Sequence, residues 1–304
     1  MRSFRTLALG ASMLVLVGAC ATGGGSNSTV KVGSVGFDEA RVMAEIYAQV
    51  LEANGYTVDR AGIGIGDRKV LLPALESGQI DLQPEYIGSG LAAGYGGTSS
   101  NDPATNKIDL QKALEAKGVG ITVLDYTPGV DTNALVVRQE TADQFHLATW
   151  SDLTAVQDQL KWALATDCST SPVCAGALKD AYGIDVAKLD VTPLGACTTP
   201  MADALANKTV DVAELCSTSP EIIVNGWVRL EDDKATQPAD NIAPLVRNDL
   251  LSKVDKVAFS KLLNDVSAKI DTPTLAALYK EIAVDKKDIA DVARAWLTAN
   301  GLLP

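Results

Sequence analysis

The chain has a single histidine, His146, among 304 residues, and aromatic residues make up only 5% of it. It contains neither a G-x-S-x-G elbow nor an H-E-x-x-H helix, and the glycines of GIGIGDRK (62–69) do not follow P-loop spacing. These gaps remove the usual settings for nucleophilic, zinc-dependent and nucleotide-dependent chemistry. No catalytic residue is therefore assigned, no cofactor or metal is expected, and an enzyme built from scattered carboxylates remains only as an alternative. Basic charge is scarce too: 26 Lys and Arg stand against 38 Asp and Glu, a net charge of −12. Without a basic stripe to neutralise phosphates, nucleic acid is not an expected partner. The apolar run Leu7 to Val17 is broken by Gly10 and Ser12, and it falls short of the ~20 residues that cross a bilayer.

What surrounds that run gives it another meaning. Arg2 and Arg5 precede it, and Gly18 and Ala19 lead into Cys20, the order of parts in a secretory signal. Val17-Gly18-Ala19-Cys20 resembles the bacterial lipobox, whose cysteine becomes the lipidated first residue of the mature chain. That reading makes 1–19 a signal peptide and 20–29 (through ATGGGSNST) a flexible, lipid-anchored tether on the outer face of the cell membrane. Removing Arg2 and Arg5 with the signal takes two positive charges and no acid, so −12 becomes −14.

Five cysteines become an even four once Cys20 is assigned to lipid: Cys168, Cys174, Cys197 and Cys216. In an exported chain an even set suggests disulfides. Four cysteines allow three pairings. Cys168 with Cys174 closes a short local loop, and Cys197 with Cys216 would join the carboxyl ends of two strands read as parallel neighbours, which favours that pairing.

From Val30 onward, short β-rich runs alternate with amphipathic helices, the pattern of an α/β protein. Strands are expected at 30–35, 57–61, 80–83 and 120–124, with helices at 38–54, 67–77 and 108–117. An extended run at 133–137 opens a second series: strand 161–166, helix 173–182, strand 189–193, helix 200–206 and strand 211–215. Residues 255–300 read as helices with no strand left to cover, a block that would pack back on an existing sheet. The chain then forms two lobes, 30–130 with 237–304 and 131–236, crossing between them near 125–133 and 231–242. GIGIGDRK reads either as a tight strand-to-helix turn or as a helix start whose free N–H groups face a cleft. His146 falls at a surface helix or its end, and Asp232-Asp233 in LEDDK reads as a polar connection.

The most specific segment is IDLQPEYIGSGL (80–91). Its strand ends near Pro84 and delivers Glu85 and Tyr86 to a carboxyl edge, where open α/β sheets form ligand clefts. Together with GSVGFDEARVMAEIYAQVLEANGY, DTNALVV, STSPEI and RLEDDK, in order from about Val32 to the C-terminus, it resembles the substrate-binding proteins of ABC importers for glycine betaine, choline, carnitine and related osmoprotectants. The resemblance implies a type II periplasmic-binding fold, two α/β lobes with a double crossover closing on solute, and an ABC permease as partner. Such proteins hold a quaternary ammonium in a cage of aromatic rings.

By motif, Tyr86 matches the cage tyrosine, Ser89 replaces a threonine, and Phe37, Asp38 and Glu39 match a first loop whose glutamine is here Ala40. Asn133 stands where a cage tyrosine is common, and LCSTS (215–219) supplies no ring, so the cage is incomplete unless Tyr126 completes it. A small polar solute, either a quaternary ammonium or another compound, is thus expected between the lobes. Its contacts would be Phe37, Asp38, Tyr86 and Ser89 from the first lobe, Tyr126, Asp131 and Asn133 at the crossover, and Ser217 and Thr218 from the second. A ligand-sensing domain without transport is the remaining alternative.

Overall fold

The computed structural model describes residues 29–303 apart from Asp167 and Ala196. The segment read as a signal and Cys20 lie outside the described residues. Among the described residues ten strands form two five-stranded sheets. Lobe I contains β1 (Thr29–Val35), β2 (Thr57–Gly66), β3 (Leu82–Tyr86), β4 (Ile121–Val123) and the late strand β10 (Ile242–Arg247), in the order β2-β1-β3-β10-β4. Lobe II contains β5 (Asn133–Val137), β6 (Lys161–Ala165), β7 (Asp190–Leu194), β8 (Val212–Cys216) and β9 (Val228–Arg229), in the order β7-β6-β8-β5-β9.

Both sheets are mixed. β1 runs parallel to β2 and β3, but β10 lies antiparallel between β3 and β4. In lobe II, β6 is parallel to β7 and β8, while β5 is antiparallel to β8 and β9. The antiparallel strands are those that follow or precede a lobe crossing, because a chain returning from the other lobe enters from the opposite end of the sheet.

The glycine-rich segment is strand, not turn. Gly62, Gly64 and Gly66 all belong to β2, and the approach of β1 explains the glycine at 62: a Cβ there would stand 2.8 Å from the Val32 carbonyl oxygen and 2.6 Å from Ile80. The helix Arg68–Ser77 begins after it. Its Asp67 cap accepts from the backbone N–H groups of Lys69 and Val70 at 2.9 and 3.3 Å, so the chain itself occupies the donors that an anion would use.

The helix Asp38–Ala53 is buried almost all round, from Glu39 to Leu51. One side lies against β1, β2 and β3 and the other under the C-terminal helices Lys256–Ser267, Thr272–Ala283 and Ile289–Ala299. The terminal block therefore covers this helix more than the sheet. Tyr47, fully buried, is fixed by a 2.9 Å hydrogen bond to Ser267, and Gln49 donates to the Ala290 carbonyl at 2.8 Å. One continuous apolar core joins sheet, helix and block, and each fully buried Leu, Val or Phe in it contributes roughly 1.5–3 kcal/mol. Lobe II instead has two smaller cores, one on each sheet face, around Trp162 and around Met201.

Both disulfides lie in lobe II. Cys168 pairs with Cys174 and Cys197 with Cys216, at Cα separations of 5.1 and 5.0 Å. The pairing agrees with the sequence reading, but the second bridge has a different geometric basis. β7 and β8 are not neighbours, since β6 lies between them, and Cys197 reaches β8 from the loop beyond β7.

The two crossings run side by side. Val130 and Asn241 form an antiparallel bridge, Asp131 N–H donates to the Asp240 carbonyl at 3.2 Å, and Asn241 Nδ2 donates to the carbonyls of Thr127 and Gly129 at 2.9 and 3.1 Å. The hinge is a short two-stranded ribbon, which places Asp131 and Asp240 beside each other.

Candidate functional site

A cleft of about 710 Å³ lies between the lobes, with the hinge ribbon at its base. On the lobe I side, Phe37 precedes the first helix, and Tyr86 ends β3, a strand buried along its whole length. Their ring centroids are 5.6 Å apart at 40°. Phe37 is 46% exposed although apolar, as expected of a side chain that serves the cleft and not the core. After Tyr86 the chain turns tightly through 87–94 and presents Gly88 and Ser89 to the same space.

Carboxylates dominate the electrostatics. Asp131 and Asp240 line the cleft, and Glu39 lies behind Tyr86, whose hydroxyl donates to Glu39 Oε1 at 2.6 Å. Thr218, from lobe II, donates its hydroxyl to Asp131 Oδ1 at 2.8 Å. Ser89 donates its backbone N–H to Asp240 Oδ1 at 2.8 Å and its hydroxyl to Oδ2. Burial raises the Glu39 pKa, though the hydrogen bond from Tyr86 and the nearby Thr218 hydroxyl pull it down. Burial, then the neighbouring Glu39 charge, holds Asp131 well above the usual carboxylate range. Burial likewise pushes Asp240 up to about 6, and burial followed by the Glu39 and Asp131 charges raises the Tyr86 hydroxyl.

Among the described residues one base, Arg68, lines the cleft, and it is engaged. Arg68 donates through Nη2 to Glu85 Oε1 at 2.8 Å, and Glu85 also accepts from the Tyr86 backbone and the Gln83 amide. Among the described residues no Lys or Arg forms an ion pair with Glu39, Asp131 or Asp240. Like charges this close are costly unless protonated or met by a cation.

The lobe II side is different. Asn133 and Cys216, paired across β5 and β8, stand beside Pro172, Val173 and Gln237, and no aromatic ring among the described residues lines this wall. Of the residues expected at the site, Phe37, Tyr86, Ser89, Asp131 and Asn133 line the cleft. Thr218 supports Asp131 from behind, and Ser217 links the lobes by donating to the Val130 carbonyl at 3.1 Å while accepting from the Thr132 N–H.

Two expected residues are elsewhere. Asp38, at the first helical position, turns outward to pair with Arg41 at 3.1 Å. Tyr126 packs on the lobe I core and lines a separate groove with Lys107 and Gln111, because Thr127 N–H is tied to the Ile242 carbonyl and turns the preceding residue away from the cleft.

Sequence reasoning missed Asp240, Arg68 and Gln237. Asp240 had a usable signal, an acid within the second crossing, whereas Arg68 and Gln237 depend on contacts between distant segments. Tyr279, in the C-terminal block, was also missed. Its hydroxyl is pushed up to about 12 by burial and by the charges of Glu221, Glu39, Asp38 and Asp131.

Other polar groups have structural explanations. Asp232 accepts from the Tyr182 hydroxyl and from the N–H groups of Thr236 and Gln237, and Asp233 accepts from Ser151. His146 is the exposed left-handed cap of the helix Gln139–Phe145. Cys168, Cys174 and Glu214 bring potential ligand atoms together, but disulfide sulfur offers no thiolate to a metal.

Comparison with known proteins agrees with this architecture. A family profile described as "Substrate binding domain of ABC-type glycine betaine transport system" matches residues 28–299. The chain is 29% identical over 306 residues to the glycine betaine-binding protein YehZ of Escherichia coli K12, covering 97% of this chain and 98% of that one. It is 26% identical to the carnitine transport binding protein OpuCC of Listeria monocytogenes, covering 91% and 89%. Among solved structures, a glycine betaine/carnitine/choline ABC transporter protein superposes with a TM-score of 0.79 at 23% identity, over 90% of this chain and 100% of that one. YehZ from Escherichia coli, in its apo form, superposes with a TM-score of 0.77 at 27% identity, over 90% and 99%.

Proposed function

The chain belongs to the family of substrate-binding domains of ABC-type glycine betaine transport systems, and we propose that it is the extracytoplasmic receptor for a small solute bearing a cationic nitrogen group. The observation that carries this reading is the Phe37–Tyr86 ring pair standing beside Asp131 and Asp240, two carboxylates that form no ion pair among the described residues, although the Arg68 charge acts on Asp240. Ring faces and carboxylates both favour a cation, and a partly enclosed cleft strengthens each. The names of the relatives, glycine betaine-binding and carnitine transport binding proteins, point to the same chemical group.

Binding then works by closure. The solute touches the rings of lobe I, the carboxylates of the hinge and the polar wall of lobe II, so it favours the conformation in which all three converge. The closed form is what a permease would receive. Cys20, preceded by Val17-Gly18-Ala19, would hold the receptor at the membrane through lipid.

Calorimetry with glycine betaine, choline and carnitine tests the solute class. Replacing Tyr86 should cost about 0.5–2 kcal/mol of binding as Tyr86→Ala and less as Tyr86→Phe, which keeps the ring. Folded protein that gives no heat with any of the three would remove the quaternary ammonium class and leave the cation-receptor reading to other cationic nitrogens. Cys20→Ala should move the mature protein from the membrane fraction to the soluble fraction, and unchanged retention would refute the anchor.

A further inference from the structure

The cleft is rich in acceptors as well as in negative charge. Gln237 lines it, is 7% exposed, and spends its amide N–H group on the Val173 carbonyl at 2.8 Å, which fixes the orientation of the amide. Its Oε1 is buried with no hydrogen-bond partner. Glu39 Oε2, behind Tyr86, is likewise buried without a partner of good geometry. Asp131 accepts from Thr218 through Oδ1, and Asp240 accepts from Ser89 at both oxygens, each of which keeps a lone pair. Buried acceptors left without donors cost free energy, so their presence at a ligand cleft indicates which groups the ligand brings.

The rings tell the complementary story. A quaternary ammonium has no N–H and is best held by aromatic faces on several sides. Here the two rings stand together on the lobe I wall, while the opposite wall offers Asn133, Val173, Cys216 and Gln237. Such a wall gives little to three N-methyl groups. It gives much to a nitrogen that donates hydrogen bonds, because a charge-assisted N–H to carboxylate bond is about twice as strong as a neutral one.

We propose that the solute selected by this cleft is an organic cation carrying N–H donors, a protonated amine or an amidinium, in preference to a quaternary ammonium. That choice rests on the reading above in one respect, that a cationic nitrogen group enters between the lobes. The nitrogen sits over the Phe37–Tyr86 pair and donates toward Asp131, Asp240 and Gln237 Oε1. The charged and titratable groups facing it are Glu39 from the first helix, Arg68 and its partner Glu85, Tyr86, and the two hinge aspartates, with Tyr279 of the C-terminal block behind Glu39.

The cleanest probe exchanges one methyl group for one proton. Choline and N,N-dimethylethanolamine share a skeleton and, near neutral pH, a positive charge, but only the second has an N–H. Calorimetry on the full-length mature protein should give dimethylethanolamine at least about tenfold tighter binding than choline. In Gln237→Met and in Asp131→Asn the ratio should shrink, with dimethylethanolamine losing more affinity than choline. Choline binding as tightly as dimethylethanolamine, or more tightly, to the unmodified protein would overturn the N–H preference and leave the cation-receptor reading intact. No heat with choline, dimethylethanolamine or glycine betaine, from protein whose circular dichroism shows it folded, would overturn both.

Discussion

Lobe I offers the cleft two rings, and the acid behind them stands on a helix buried in one continuous core, whereas lobe II offers small polar groups and a disulfide sulfur on a sheet flanked by two smaller cores. The first wall holds its shape by packing: Tyr86 ends a fully buried strand, and Glu39 sits on a helix covered on both sides. The second is held covalently. Cys216, at the end of β8, is tied to the loop beyond β7, and the Cys168–Cys174 bridge closes the loop that carries Pro172 and Val173. A smaller lobe buries less apolar surface, and cross-links compensate for it.

The contrast can be broken first from the packed side. Phe259 is fully buried and meets Tyr56 edge-on at 5.3 Å, so Phe259→Ala should cost about 3–5 kcal/mol. Denaturant melts should place that loss in lobe I, and lobe II, followed through Trp162, should unfold at its usual midpoint. A uniform shift of both would mean the lobes are one cooperative unit.

The covalent side should respond next. Replacing Cys197 and Cys216 with serine opens a loop spanning 19 positions and should cost about 3 kcal/mol, this time in lobe II. Reduction that leaves the lobe II midpoint unchanged would remove the compensation argument.

The hinge sharpens the comparison, because it belongs to both walls. Asp240 is raised to about 6, so between the ordinary carboxylate range and that value the folded chain keeps a proton that the unfolded chain has shed. Stability without ligand should therefore fall as pH rises through that window. Cation binding needs the ionised form, and affinity should weaken by up to about tenfold per pH unit as pH falls below about 6. Affinity that is flat from acid to neutral pH would show that Asp240 does not face the ligand charge.

Much of this was legible in the sequence because hydrophobic periodicity is local. β5 begins and ends where DTNALVV suggests, and the lobe II elements that were given bounds lie within a few residues of them, whereas the short helices Gln139–Phe145, Trp150–Leu153 and Pro220–Asn225 and the strand β9 were not foreseen. GIGIG misled because Gly62 serves the contact between β1 and β2, an interaction about 30 residues apart that spacing alone does not encode. The ring and strand-end residues of the site were readable, since Tyr86 and Phe37 sit at element boundaries. The acid pair was only half readable, because Asp131 and Asp240 are neighbours solely through the bridge between Val130 and Asn241. Tyr126 misled for the same reason: it lies next to the crossing in sequence, but its rotation is set by Ile242.

The position of β10 has a consequence for how the molecule is made. A ribosome releases the chain in order, so all five strands of lobe II, ending at Arg229, exist before Ile242–Arg247 does. Yet β10 is an inner strand of lobe I, hydrogen-bonded to β3 on one side and β4 on the other. Throughout that interval β3 has an open edge, the one that ends in Glu85 and Tyr86, while lobe II can already complete its ladders. An unpaired apolar edge invites pairing with other chains. The nascent protein is therefore most vulnerable after its smaller lobe is finished and before its larger one can close, and the cleft comes into being only when the last strand slots between two that have been waiting for it.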